Sequence, residues 1–154
     1  MTREEFTSRI LSMQDELYRI AYGQLRDSAD RRDAVQNALF KAWESLPRLR
    51  NEEHFKTWLV RILINECHNL QRTQKRIAPL EAAPERSETM DNRFSDLHDA
   101  LLLLPEKLRL PIQLHYMEGY TTDEIARILR VPVGTIRSRL RQARSMLKEH
   151  LQED

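Results

Sequence analysis

Between Ile125 and Lys148 the chain carries seven basic residues (Arg127, Arg130, Arg137, Arg139, Arg141, Arg144 and Lys148) and no carboxylate. Inside this tract Ile136, Leu140, Ala143 and Leu147 recur at steps of four, three and four, the spacing of one helical face. At about 100° per residue, the opposite face presents Gly134, Thr135, Arg137, Ser138, Arg141, Gln142 and Ser145. That set suits the reading of nucleic acid. Arginine and glutamine make paired hydrogen bonds to guanine and adenine edges in a major groove, and short hydroxyls let the backbone come close. Arg139 and Arg144 fall on the flanks, where phosphates run. A charged helix is ordinarily just a solvated one, but 24 residues without an acidic group argue against that here. Solubility alone favours mixed signs.

Such a helix needs neighbours to hold its apolar side. Thr121 and Glu124 have capping-box spacing and open a short helix whose inner side is Ile125, Ala126, Ile128 and Leu129. Arg130 to Gly134 forms a tight connection, with Pro132 suited to the first helical position. The pair reads as a helix-turn-helix. A protein-binding helical hairpin would have the same pattern. Upstream, a helix over Ser95–Leu104 restarts at Pro105 and ends near Gly119, with Pro111 expected to kink it. Ile112 to Tyr116 also alternates like a strand. The helical step through Leu104, Leu108, Ile112 and His115 or Tyr116, with no strand partner nearby, favours helix.

The first half of the chain forms a second helical module. Thr2 and Glu5 again have capping-box spacing, followed by Phe6, Ile10, Met13, Leu17, Ile20 and Ala21 at helical intervals. After a break near Asp27–Asp30 comes a helix with Val35, Ala38, Leu39, Ala42, Trp43 and Leu46 on its apolar side, stopped by Pro47. Arg48 to Glu53 reads as a loop in which Asn51 is a suitable N-cap. A long stripe then runs through Phe55, Trp58, Leu59, Ile62, Leu63, Cys67 and Leu70. The rest of that helix carries Lys56, Arg61, Asn65, His68, Asn69, Arg72, Lys75 and Arg76. Trp43, Trp58 and Cys67 are expected in the core.

Composition agrees with an all-α chain of two small helical domains, residues 1–76 and 95–154, joined by a flexible linker over 77–94. The chain has 154 residues and three glycines, too few for glycine-rich phosphate loops or turn-rich β architectures. Glu81 to Glu106 holds seven acidic residues against Arg86 and Arg93, together with Pro79 and Pro84. Removing the basic tract leaves 18 basic against 24 acidic residues, so a polyanion-binding end sits on an acidic body. One cysteine excludes an internal disulfide and a cysteine-rich zinc site, and the five histidines lack ligand spacing. No apolar run approaches the length of a membrane span, and the N-terminal residues have no apolar signal core. The residues point to a soluble cytoplasmic protein, a monomer when free. No catalytic constellation is present, so no enzyme, metal or cofactor is expected.

The motif blocks resemble a known family. Leu104-Pro105-Glu106-Lys107, Glu118-Gly119-Tyr120-Thr121, Glu124-Ile125-Ala126 and Val133 through Leu140 are similar to region 4 of bacterial sigma factors, specifically the extracytoplasmic-function group. Asp33 through Trp43 resembles region 2.2, and Phe55-Lys56-Thr57-Trp58-Leu59-Val60-Arg61-Ile62 with Asn65 and Arg72 resembles regions 2.3 and 2.4. The match runs in order along nearly the whole chain apart from the linker.

The resemblance implies an alternative sigma factor that gives core RNA polymerase its promoter. Arg137, Ser138, Arg141 and Gln142 would face bases of the minus-thirty-five element, with Thr135, Arg139 and Arg144 toward phosphates. Lys56, Arg61, Asn65, His68, Arg72, Lys75 and Arg76 would hold the minus-ten element. The loop Arg48–His54, through Asn51 and His54, would capture an extruded base, which costs a few kcal/mol to unstack. Asp33, Gln36, Asn37 and Lys41 would dock on the polymerase, and an anti-sigma protein is implied as an inhibitor. Relatives with carboxylates where this chain has Arg32 and Asn37 indicate an altered polymerase contact. Pro132 and Val133 deprive the recognition helix of a side-chain N-cap, at about 1 kcal/mol. Two rivals stand beside this reading. One is a helix-turn-helix regulator acting without core polymerase. The other is a helical adaptor whose basic face meets an acidic protein.

Overall fold

The computed structural model describes residues 1–77 and 99–152, with side chains over 1–73 and 99–150. The linker expected at 77–94 lies, from position 78 onward, outside the described residues, as do positions 95–98. The described residues form two compact helical units and contain no strand.

The first unit is built from α1 (Arg3–Tyr22), α2 (Ser28–Ser45) and α3 (Phe55–Ile77). The expected capping box starts α1: Glu5 N donates to Thr2 Oγ1 at 3.1 Å, and Thr2 N donates to Glu5 Oε2 at 3.1 Å. Asp27 caps α2 by accepting from Ala29 N at 2.9 Å. Pro47 ends α2 as expected, but within a 3-10 turn over Leu46–Arg48. A second 3-10 turn, Glu52–His54, leads into α3, and Asn51 is its N-cap through a 3.0 Å bond from Glu53 N.

The three helices pack on one another around Phe6, Leu17, Ile20, Leu59, Leu63 and Cys67. The core face of α2 is rotated from the expected one. Ala34, Val35, Ala38 and Ala42 are buried, whereas Leu39 is half-buried and Trp43 is 45% exposed. Three alanines let α1 and α3 approach closely, leaving no room for an indole between the helices. Trp43 instead lays its ring against Phe6, centroids 5.2 Å apart, with its other side in solvent. On α3 the buried stripe widens to take in Val60, Ile64 and Glu66, while Trp58, Ile62 and Leu70 are half-buried.

Arg31, one turn into α2, is also buried. Its Nη1 donates to the carbonyls of Leu25 and Arg26, each at 3.2 Å, and its guanidinium lies 4.4 Å from the Tyr22 ring centroid. The loop leaving α1 is thereby closed by one charged side chain, and Gln71 Nε2 adds a 2.7 Å bond to Gln24 O from α3.

In the second unit, residues 99–102 are helical, followed by α4 (Glu106–Ile112), α5 (Thr122–Leu129) and α6 (Val133–Gln152). The segment after Pro111 is helical rather than a strand, but as a π turn over Gln113–Met117. Proline has no N–H to donate into the helix, and widened turns are one outcome of a disturbed ladder. Gly119 follows at φ +78°, as its expected place after the helix end requires. Thr121 and Glu124 make the second expected capping box, at 3.1 and 3.0 Å. Arg130 ends α5 at φ 56°, a left-handed position where glycine is usual, with Val131 N bonded to Ala126 O. Pro132 lies one residue before α6 rather than within it, and its carbonyl accepts from Thr135 and Ile136.

Replacing Arg31 with methionine removes two charge-assisted bonds and a ring contact while keeping much of the stem. We expect a loss of about 1.5–3 kcal/mol, read from urea unfolding of the full chain.

Candidate nucleic-acid interface

The interface on the second unit follows from how α6 is seated. It packs on α4 and α5 through Ile136, Leu140 and Ala143, all buried, with Leu147 half-buried. That contact sets the helix's rotation. Arg137, Ser138, Arg141 and Gln142 consequently lie exposed on the far side, with Gly134 and Ser145. Thr135 and Arg139 are half-buried, and Arg144 is exposed. Five of the seven residues expected at the minus-thirty-five element are thus exposed on one helix, with Thr135 and Arg139 half-buried beside them, and this stretch carries no acidic side chain.

Arg144 has a partner that the sequence reading missed. Its Nη1 donates to Tyr116 Oη at 2.9 Å. Tyr116, 58% exposed, stands edge-on to His115, and His115 Nδ1 is 2.9 Å from the Tyr120 carbonyl oxygen. The π turn is what presents Tyr116 toward α6. In sequence these two residues are 28 apart, and no periodicity connects them.

On the first unit the residues expected at the minus-ten element divide between α3 and its preceding turn. Asn65 and Arg72 are exposed on α3, and Arg61 and His68 are half-buried. Their spacing of four, three and four puts them along one side of the helix. Arg72 Nη2 also donates to Asn69 Oδ1 at 2.8 Å. Lys56 is exposed, with Nζ 3.7 Å from Glu16 Oε2. Lys75 and Arg76 belong to α3, but their side chains are outside those described. Asn51 and His54 are exposed, and Asn51 Oδ1 is occupied in capping the turn.

Of the residues expected to meet polymerase, Asp33, Gln36 and Asn37 are exposed on the outer side of α2. Phe40, 64% exposed, continues that side at the next helical step and was not singled out by the sequence reading. Lys41 is exposed as well, and it also pairs within the unit. Its Nζ forms an ion pair with Glu66 of α3, whose carboxylate is buried. A glutamate on an otherwise apolar side of α3 was the available signal for such a pairing. Among the described residues, no group of three or more His, Cys, Asp or Glu is arranged to hold a metal ion, and no helix is long and apolar enough to cross a membrane.

Comparison with known proteins places this arrangement. Residues 10–77 match Sigma-70 region 2, and residues 94–147 match Sigma-70, region 4. The chain is 33% identical over 144 residues to the ECF RNA polymerase sigma-E factor of Escherichia coli, covering 81% of this chain and 75% of that one. The chain belongs to the ECF family of RNA polymerase sigma factors. It is also 28% identical over 169 residues to the RNA polymerase sigma-H factor of Pseudomonas aeruginosa, covering 97% and 88% of the two chains. Among solved structures, the sigma factor RpoE of Bartonella quintana, crystallised with the anti-sigma factor NepR, superposes with a TM-score of 0.84. That pair is 26% identical over 98% of this chain and 99% of the other. The ECF chain described here is therefore an alternative sigma factor, which directs promoter-specific transcription initiation. Members of its family are not enzymes. The two helical units correspond to regions 2 and 4.

Replacing Lys41 with methionine leaves the Glu66 carboxylate buried without its counter-charge. The expected loss is about 1–3 kcal/mol of stability, read as a lowered urea midpoint. Glu66→Gln is expected to cost less, because a neutral amide is cheaper to bury.

Proposed function

We propose that this sigma factor reads its minus-thirty-five element with the exposed side of α6, through Arg137, Ser138, Arg141 and Gln142. Thr135, Arg139 and Arg144 face phosphates in this reading. The observation that carries it is the burial of Ile136, Leu140 and Ala143, which turns four base-complementary side chains outward together. Arg61, Asn65, His68 and Arg72, with Lys56, Lys75 and Arg76, hold the minus-ten region, and Asn51 and His54 meet an unpaired base. Asp33, Gln36 and Asn37 dock on core polymerase. Lys41 joins them, its exposed ammonium keeping donors for the polymerase beside its pair with Glu66.

The chain acts in the bacterial cytoplasm, where polymerase and promoter are, and performs no catalysis of its own. It is a monomer when free. An anti-sigma protein masks one or both units, as the Bartonella quintana relative's complex with NepR suggests. A regulator working without core polymerase is disfavoured by region 2, which such a protein does not need.

Core polymerase supplemented with this chain should initiate at a cognate promoter from which core alone does not start. Absence of initiation at every genomic promoter would sink the proposal. In the holoenzyme, Arg137→Ala and Arg141→Ala should each cost about 1–3 kcal/mol on the matched minus-thirty-five sequence. Equal losses on scrambled DNA would reassign that arginine to a phosphate.

A further inference from the structure

The turn carrying Asn51 and His54 is fastened from α1. Arg9, 43 positions upstream of Glu52, donates from Nη1 to the Glu52 main-chain carbonyl at 2.9 Å. Its Nη2 lies 4.0 Å from Glu52 Oε2, and its guanidinium carbon is 5.4 Å from the Phe55 ring centroid. One planar cation therefore spans the turn and the first residue of α3. The Met1 ammonium sits 2.7 Å from Glu52 Oε1, and that hydrogen bond and charge hold the Glu52 carboxyl below the usual carboxylate range. Glu52 also borders a cavity of about 370 Å³ lined by Met1, Trp43, Leu46, Pro47 and Leu49.

Within the turn, the bonds from Glu53 N to Asn51 Oδ1 and from His54 N to Asn51 O are local. All four residues from Asn51 to His54 are exposed. A short 3-10 turn is poorly constrained by its own backbone bonds, and ordering it on binding costs conformational entropy. An exposed ion pair alone would do little to change that. A guanidinium fork engaging a main-chain carbonyl, a carboxylate and a ring does more, and lysine cannot reproduce it.

We propose that Arg9 is a positioning residue for promoter recognition. By fixing the Glu52 carbonyl against the Phe55 ring, it sets where Asn51 and His54 project, and so sets the preference for the unpaired minus-ten base. This inference rests on the minus-ten assignment of that turn made above.

The test measures open-complex formation by the full chain with core polymerase, on the cognate promoter and on templates substituted at each minus-ten position. Arg9→Met should lower the preference for the cognate base at one position by about tenfold, the scale of one hydrogen bond to a charged group. Core affinity should stay within about twofold, and amide exchange should quicken at residues 51–55 while α6 is unchanged. Arg9→Lys, which keeps the charge without the fork, should retain part of the preference. An unchanged preference overturns the inference. So does a uniform loss on every template with a lowered melting temperature and no change in exchange at 51–55. Should Arg9→Met fail to fold, Arg9→Lys decides alone, and a preference equal to the native one overturns the inference. If the native chain itself opens no promoter with core, the sigma reading of the turn falls first, and the role of Arg9 with it.

Discussion

The rotation of α6 about its own axis is the constraint on which the rest of the interface depends. Burying Ile136, Leu140 and Ala143 against α4 and α5 is strongly favoured, and it leaves only one orientation for the remaining residues. Arg137, Ser138, Arg141 and Gln142 are exposed as a consequence of hydrophobic packing, with no polar bond needed to aim them. A rotation of one residue, about 100°, would bury Arg137 or Arg141 and expose Ile136 or Leu140. The exposed side of α6 is thus oriented by side chains on its buried side. The flank carrying Arg144 differs, because its guanidinium has a hydroxyl partner in Tyr116.

The first unit meets the opposite problem, holding charge inside a small core. Glu16 and Glu66 are both buried, and lysines from α3 and α2 respectively face them. Removing a carboxylate from water is costly unless a counter-charge or hydrogen bonds replace the lost hydration. Lys41 and Lys56 provide this while keeping their stems at the surface, as amphipathic side chains commonly do. The consequence for function is direct. Two cations expected at binding surfaces also neutralise buried carboxylates, while each keeps its ammonium accessible with further donors for a partner. Arg9 and Arg31 follow the same logic on the main chain, each closing a loop by donating to carbonyls.

Much of this was legible in the sequence, for identifiable reasons. Both capping boxes were readable because Thr2 with Glu5, and Thr121 with Glu124, act within one helical turn. Asn51 as a cap was readable for the same reason, as was Gly119 after a helix end, where a left-handed residue is usual. The stripe from Ile136 to Ala143 repeats cleanly, so the exposed face followed by geometry. Trp43 was misread because periodicity counts an indole as apolar without weighing its size against a gap set by alanines. The π turn after Pro111 was expected only as a kink, since a missing N–H marks where a helix is disturbed but not the form of the disturbance.

What the residues determined alone is whatever depends on neighbours within one or two turns: helix starts, the clean apolar stripe of α6, the basic tract and the motif blocks carrying the family resemblance. Those features are set by backbone geometry and short-range hydrogen bonding, which distant parts of the chain do not alter. The tertiary structure decided which charges are spoken for. Lys41 with Glu66, Arg144 with Tyr116 and Arg9 with Glu52 join positions 25 to 43 residues apart. Such pairs exist only once the apolar faces have packed and brought separate helices within hydrogen-bonding reach, and no local pattern encodes that distance.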